Sequence, residues 1–197
     1  MQNSAQTLRC DLLVIGSGAS GLATAVTAAH LGMKVIVLEK EPVFGGTSAW
    51  SGGWLWVPRN PLAVEAGIVE DISAPTEYLK HELGPYFQEE KVRAFLENAP
   101  AMVDFFRNKT SLQFIDGNKV PDFHGKTKGA VLGGRSVCAA PFDGRKLGKE
   151  LQRLRQPLDV ISLWGMGIAS GNDIKQFFNS TRSISSFLYV TRRVLRH

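Results

Sequence analysis

Long apolar runs are missing from this chain of 197 residues; no stretch approaches the roughly 20 consecutive apolar residues that a membrane helix needs. The N-terminus also lacks a charged start followed by an apolar segment, so no export signal is read and a soluble, cytoplasmic protein is expected. Cysteine is scarce. Cys10 and Cys138 lie far apart with no CxxC spacing, which signals neither a disulfide framework nor a zinc site, and no bound metal is expected. The surplus of positive charge is modest, 23 Lys and Arg against 18 Asp and Glu, for a formal +5. Arg145, Lys146, Lys149, Arg153 and Arg155 fall among leucines at helical spacing, and Arg192, Arg193 and Arg196 cluster at the end. Neither run is interleaved with the aromatic residues that stack bases, so a nucleic-acid partner is not expected.

What remains is a globular composition, 44% apolar and 21% charged with 20 glycines, long enough for one domain with a sizeable core or for one domain and part of another. Residues 9–15 (RCDLLVI) read as a buried parallel strand ending at Gly16. An alanine-rich helix is predicted over 18–31, with Gly32 as its C-terminal cap, and residues 34–39 (KVIVLE) read as a second strand. Together they make one βαβ unit.

Beyond Glu39 the sequence turns to glycine, serine, tryptophan and proline, which is loop chemistry. A helix is predicted from Ser73 to about Leu83, and an amphipathic stretch through Val92, Phe95, Leu96, Val103 and Phe106 is expected to break at Pro100. A strand is predicted over 112–115, irregular chain over 118–145, and helical spacing near 146–154, 172–178 and 184–195.

The segment Gly16-Ser17-Gly18-Ala19-Ser20-Gly21 matches GxGxxG after a strand and at the opening of a helix. Gly16 permits the tight turn, Gly18 lets helix N-terminal amides approach a pyrophosphate, and Gly21 lets helix and strand pack closely. Glu39, followed by Lys40, ends the second strand, where a carboxylate accepts hydrogen bonds from ribose hydroxyls. FAD and NAD share this fingerprint. The glycine pair that follows, Gly45-Gly46-Thr47-Ser48 and then Ser51-Gly52-Gly53, supplies backbone and hydroxyl donors on the flavin side and points to FAD.

The stretch DLLVIGSGASGLATAVTAAHLGMKVIVLEKEPVFGGTSAWSGG resembles the N-terminus of the succinate dehydrogenase and fumarate reductase flavoprotein superfamily. GGTSAWSGG followed by WVP is similar, more narrowly, to its 3-ketosteroid Δ1-dehydrogenase branch. The resemblance implies a Rossmann-like α/β fold, an FAD-binding part over 1–60 and, over 61–197, the beginning of an α+β substrate domain, with the sheet incomplete in this chain. It also implies that the chain is an N-terminal piece of a longer enzyme. Gly45, Gly46, Thr47, Ser48 and Ser51 would contribute to FAD binding. Succinate dehydrogenases attach flavin to a loop histidine, and here the matching positions are Gly45, Gly46 and Thr47, so the FAD is expected to be noncovalent.

A PDYFGK-like segment carries an active-site tyrosine in the steroid branch; here it reads Pro121-Asp122-Phe123-His124-Gly125-Lys126. Phe123 removes that hydroxyl, which leaves His124 and Asp122 as candidates for proton transfer. Trp50, Trp54 and Trp56 either edge a flavin or substrate pocket or pack. The expected function is hydride transfer between a substrate CH–CH group and FAD, with a steroid-like or other hydrophobic ketone as substrate and the electron acceptor unspecified. The alternatives are a catalytically incomplete FAD-binding fragment and a fumarate-reductase-like enzyme, for which Arg135 and Arg145 are the available carboxylate-gripping groups.

Overall fold

The structure is a computed structural model that describes residues 7–163, 166–168 and 172–196. The chain divides into two compact units. One holds the described residues up to Ser51 and those from Asp143 onward; the other is Gly52–Phe142.

In the first unit, β1 (Leu12–Ile15), α1 (Ala19–His30) and β2 (Val35–Leu38) form the expected βαβ element. β1 and β2 pair in parallel, from Leu12 opposite Val35 to Ile15 opposite Leu38. Val14, Ala25 and Ala28 are buried where helix and strands meet, and the small side chains explain how the helix lies close. α1 ends in a Schellman arrangement: the Met33 amide donates to Ala28 O and the Gly32 amide to Ala29 O. The sheet has two strands, and Leu13, Ile15 and Leu38 stay exposed on it.

The loop after β2 contains a short 3-10 turn at Gly46–Trp50, tighter than the irregular chain expected there. The 146–154 segment is also 3-10 rather than α-helical. It spans Gly144–Arg153 and kinks at Gly148, whose φ of 55° and ψ of −128° interrupt the helix that the leucine spacing suggested. Two helices near the end, α5 (Asn172–Phe178) and α6 (Ile184–Leu195), match the predicted spans.

The second unit contains β3 (Trp54–Trp56), α2 (Pro61–Glu65), α3 (Ser73–Leu83), α4 (Glu89–Lys109), β4 (Phe114–Asp116) and β5 (Ser136–Ala139). β5 is the middle of an antiparallel sheet of order β3-β5-β4, although Ser-Val-Cys-Ala sits in a region expected to be irregular. The three tryptophan-bounded residues of β3 likewise lie in what reads as loop. α3 has the predicted bounds, and α4 is one helix through Pro100 rather than two segments. Its buried stripe Val92, Leu96, Ala99, Val103 and Phe106 runs to both sides of the proline, so packing overrides the lost backbone hydrogen bond.

The core gathers Val57, Ala99, Val103 and Val137 with Leu62, Met102 and Phe114 around them. Asn60 caps α2 from a fully buried position. Its Oδ1 accepts the Ala63 amide, and its Nδ2 donates to Val57 O and Gly134 O.

Candidate functional site

The Gly16–Gly21 turn carries β1 into α1. Gly18 is the N-cap in extended conformation with no side-chain cap; the Leu22 amide is the first to bond within the helix, to Gly18 O, which leaves those of Ala19, Ser20 and Gly21 without an intrahelical partner. One of these amides, Ala19 N, donates to Ser48 Oγ at 3.0 Å, so the second glycine loop closes onto the helix start. The tightness of the turn resides at Gly21: a Cβ there would lie 2.1 Å from Gly16 O. At Gly18 the nearest atom to an added Cβ is Ser48 Oγ at 3.6 Å, which leaves open space in front of the helix amides. A cradle a side chain would fill, at a helix N-terminus with unpaired amides, suits a pyrophosphate.

Ser17 is only 1% exposed and faces the protein. Its backbone amide and hydroxyl both donate to Glu39 Oε2, and its Oγ accepts the Gly45 amide at 3.0 Å. Glu39 Oε1 accepts the Glu41 amide. These bonds, the Ser17 hydroxyl foremost, hold the Glu39 carboxyl down to about 2, so it is fully ionised. A carboxylate offers about four acceptor positions, and three donors occupy it, which leaves capacity for a ribose hydroxyl. Lys40 points outward and pairs loosely with Glu41 at 3.8 Å.

The loop that holds Gly45, Gly46, Thr47, Ser48 and Ser51 packs on the same turn. A Cβ on Gly46 would come within 3.1 Å of Gly18 Cα, and Gly45 has a φ of 117°, which side chains rarely adopt. Residues 153–156, which no local motif marks, line the other side of this loop through a parallel bridge between Phe44 and Leu154. Gly52 and Gly53 belong to the second unit. There Gly52 O accepts from Cys138 Sγ and Gly53 O accepts the Ala139 amide.

The other sequence candidates lie in the second unit. Asp122 is buried, and its oxygens accept from Trp56 Nε1 at 2.7 Å, the Val131 amide at 3.0 Å and Arg135 Nη1 at 2.8 Å. His124 Nδ1 pairs with Glu82 Oε2 at the surface, and Thr127 Oγ1 donates to the other Glu82 oxygen. The Thr127 hydroxyl and then His124 lower the Glu82 pKa. Phe123 is 99% exposed.

Arg135 is 1% exposed and fully committed: its Nε and Nη2 grip Glu70, its Nη1 reaches Asp122 and Gly129 O, and its guanidinium lies over Trp56 and Tyr78. Arg145 pairs with Asp143 in the first unit. Arg135 is thus occupied within the fold, whereas Arg145 is exposed and holds only a surface ion pair. Trp56 stacks on Phe95 and packs in the second unit, whereas Trp50 stands beside the glycine loop.

Among the described residues no helix is long and apolar enough to cross a membrane, and no cluster of potential metal ligands is found. Residues 11–182 match the family described as FAD binding domain. The chain is 38% identical over 97% of its length to 4-oxocyclohex-2-ene-1-carboxylate 5-dehydrogenase of Sinomonas cyclohexanicum, and spans 32% of that protein. To 3-oxosteroid 1-dehydrogenase of Mycolicibacterium smegmatis it is 36% identical over 78% of its length, spanning 27% of that protein. The solved 3-ketosteroid Δ1-dehydrogenase of Sterolibacterium denitrificans, in complex with 1,4-androstadiene-3,17-dione, superposes with a TM-score of 0.78 at 31% identity, over 90% of this chain and 31% of that one. With the glycine turn, Glu39 and the second glycine loop in one site, and the family match over residues 11–182, this chain belongs to the FAD binding domain family.

Proposed function

We propose that this chain forms the cofactor-holding part of an FAD-dependent dehydrogenase that desaturates a CH–CH group beside a ring ketone. The observation that carries the reading is the joint closure of both glycine loops on one helix start, through Ser17, Ser48 and Glu39. In this reading the α1 amides and the Gly16–Gly21 turn bind the pyrophosphate, and Glu39, steadied by Ser17 and the Glu41 amide, orients the ribose. The Gly45–Ser51 loop lies toward the flavin, continued in sequence by Gly52 and Gly53. Bound FAD supplies hydride acceptance. The loop from Glu41 to Gly53 contains no His, Cys or Tyr that would attach a flavin, and this supports noncovalent FAD.

Desaturation removes a hydride and a proton from adjacent carbons, so a protein base takes the proton. Of the two candidates in this chain, His124 is the one with a ring nitrogen left over. Glu82, fixed by Thr127, holds its Nδ1 and leaves Nε2 outside the pair, whereas Asp122 is spent on Trp56, Val131 and Arg135.

The relatives are dehydrogenases of a 4-oxocyclohexene carboxylate and of 3-oxosteroids. Phe123 lacks the hydroxyl that the resemblance to the steroid branch assigns to catalysis, a contribution of roughly 100-fold or more, and this argues against fast turnover of a 3-oxosteroid. The test is anaerobic mixing of oxidised holoprotein with 4-oxocyclohexanecarboxylate and, separately, with 4-androstenedione while flavin bleaching is followed. Bleaching by the ring ketone acid and slow or no bleaching by the steroid is expected. Faster bleaching by the steroid would overturn the substrate assignment, and no bleaching by either would overturn the dehydrogenase.

A further inference from the structure

The loop proposed to face the flavin is held from outside by a segment far along the chain. Phe44 N donates to Arg153 O and Arg155 N to Phe44 O, each at 2.8 Å, which fixes the loop where it begins. Trp50 Nε1 donates to Gln156 O at 3.0 Å across 106 residues of sequence, which fixes it where it ends. Between these anchors a Cβ on Gly45 would lie 3.5 Å from Leu154 Cδ1 and 3.7 Å from Arg155 Cβ, so the same segment backs the strained glycine. Ser48, inside the clamped span, is the residue that touches the α1 amides.

The side-chain part of this clamp is Arg155. Its guanidinium carbon stands 4.8 Å from the Trp50 ring centroid, and its Nε is buried without a hydrogen-bond partner. A buried donor left unpaired costs stability, and the cation–π contact with the indole is what offsets that cost here. A delocalised, weakly hydrated guanidinium sits against an indole with less loss of solvation than a compact ammonium, which sets Arg apart from Lys at this position.

We infer that residues 153–156 are a clamp on the Gly45–Ser51 loop, and that Arg155, latched on Trp50, is a positioning residue for cofactor binding. The inference rests on the FAD reading. A loop held in one conformation before the cofactor arrives loses less freedom on binding, so the latch raises FAD affinity without a contact of its own.

The test is titration of the full chain, stripped of flavin, with FAD and separately with ADP, for wild type, Arg155→Ala, Arg155→Lys and Trp50→Phe, with a thermal melt of each. Arg155→Ala is expected to weaken FAD roughly 5- to 30-fold, the range of a partly desolvated cation–π contact, while ADP affinity, set by the Gly16–Gly21 turn and Glu39, holds. Trp50→Phe keeps a ring but loses the bond to Gln156, and is expected to fall between Arg155→Ala and wild type. Arg155→Lys is expected not to recover FAD affinity, and it serves as the working variant where the alanine protein melts early. Unchanged FAD affinity in Arg155→Ala, a parallel loss of FAD and ADP, or full recovery with Lys would each overturn the latch. Wild type that binds ADP but not FAD would overturn the FAD reading beneath it.

Discussion

Ser17 and Glu39, 22 residues apart, are joined twice: the amide and the hydroxyl of Ser17 both donate to Glu39 Oε2. Because the Ser17 oxygen also accepts the Gly45 amide, one buried hydroxyl links the turn after β1, the acid at the end of β2 and the second glycine loop. The candidate cofactor site is thus tied together by the protein's own groups.

The link has a pH signature. Glu39 titrates at about 2 in the fold against an ordinary value of 4.5, and a depressed value means that its stabilising contribution is present above about 4.5 and drains away as the pH falls toward 2. Ser17→Ala removes the largest cause, so the Glu39 midpoint is expected to move up toward 4.5, as read by carboxyl carbon NMR. The same change strands the Gly45 amide and is expected to cost about 1 to 3 kcal/mol of stability. A Glu39 midpoint unmoved by Ser17→Ala would show that the hydroxyl does not hold the acid.

The three glycines of the turn separate by mechanism. Gly21→Ala places a methyl 2.1 Å from Gly16 O and is expected to unsettle the fold itself, by about 1 to 3 kcal/mol or more. At Gly18 an added Cβ makes only an ordinary contact, 3.6 Å from Ser48 Oγ, so Gly18→Val is expected to cost less stability than Gly21→Ala while abolishing FAD binding. Glu39→Ala, which removes the ribose hydrogen bonds together with the acceptor of Ser17 and of the Glu41 amide, is expected to weaken FAD roughly 10- to 100-fold and to lower the melting temperature as well. Equal losses of FAD affinity in Gly18→Val and Glu39→Ala would place the pyrophosphate elsewhere.

Arg135 illustrates a polar group kept for structure. Replacing it with alanine leaves Glu70 and Asp122 without their cation, Asp122 deep in the second unit, and is expected to cost about 3 to 5 kcal/mol in denaturant unfolding. A loss of substrate binding with stability unchanged would instead return Arg135 to the role of a carboxylate grip.

The βαβ element was legible because each of its parts speaks locally: an apolar strand, glycines at fixed offsets, an alanine-rich helix, and Glu39 at a strand end. α3 and α6 were legible for the same reason. Ser136–Ala139 was not, since Val137 is its one strong strand former and the segment becomes a central strand because β3 and β4 flank it. The reading of Pro100 as a break failed because a buried stripe on both sides of it outweighs one missing amide. In the candidate site, the residue types around Gly16, Glu39 and Gly45 announced themselves, but the direction of Ser17 into the protein and the clamp at 153–156 did not. Both arise from contacts between segments that sequence spacing does not connect.

The most direct measurement concerns the cofactor. Purified protein is expected to carry a flavin absorption spectrum, and acid precipitation is expected to leave the pellet colourless and the yellow supernatant identifiable as FAD by chromatography. Flavin retained in the pellet would contradict noncovalent attachment, and protein that neither carries FAD nor takes it up on titration would contradict the reading of residues 16–51 as its site.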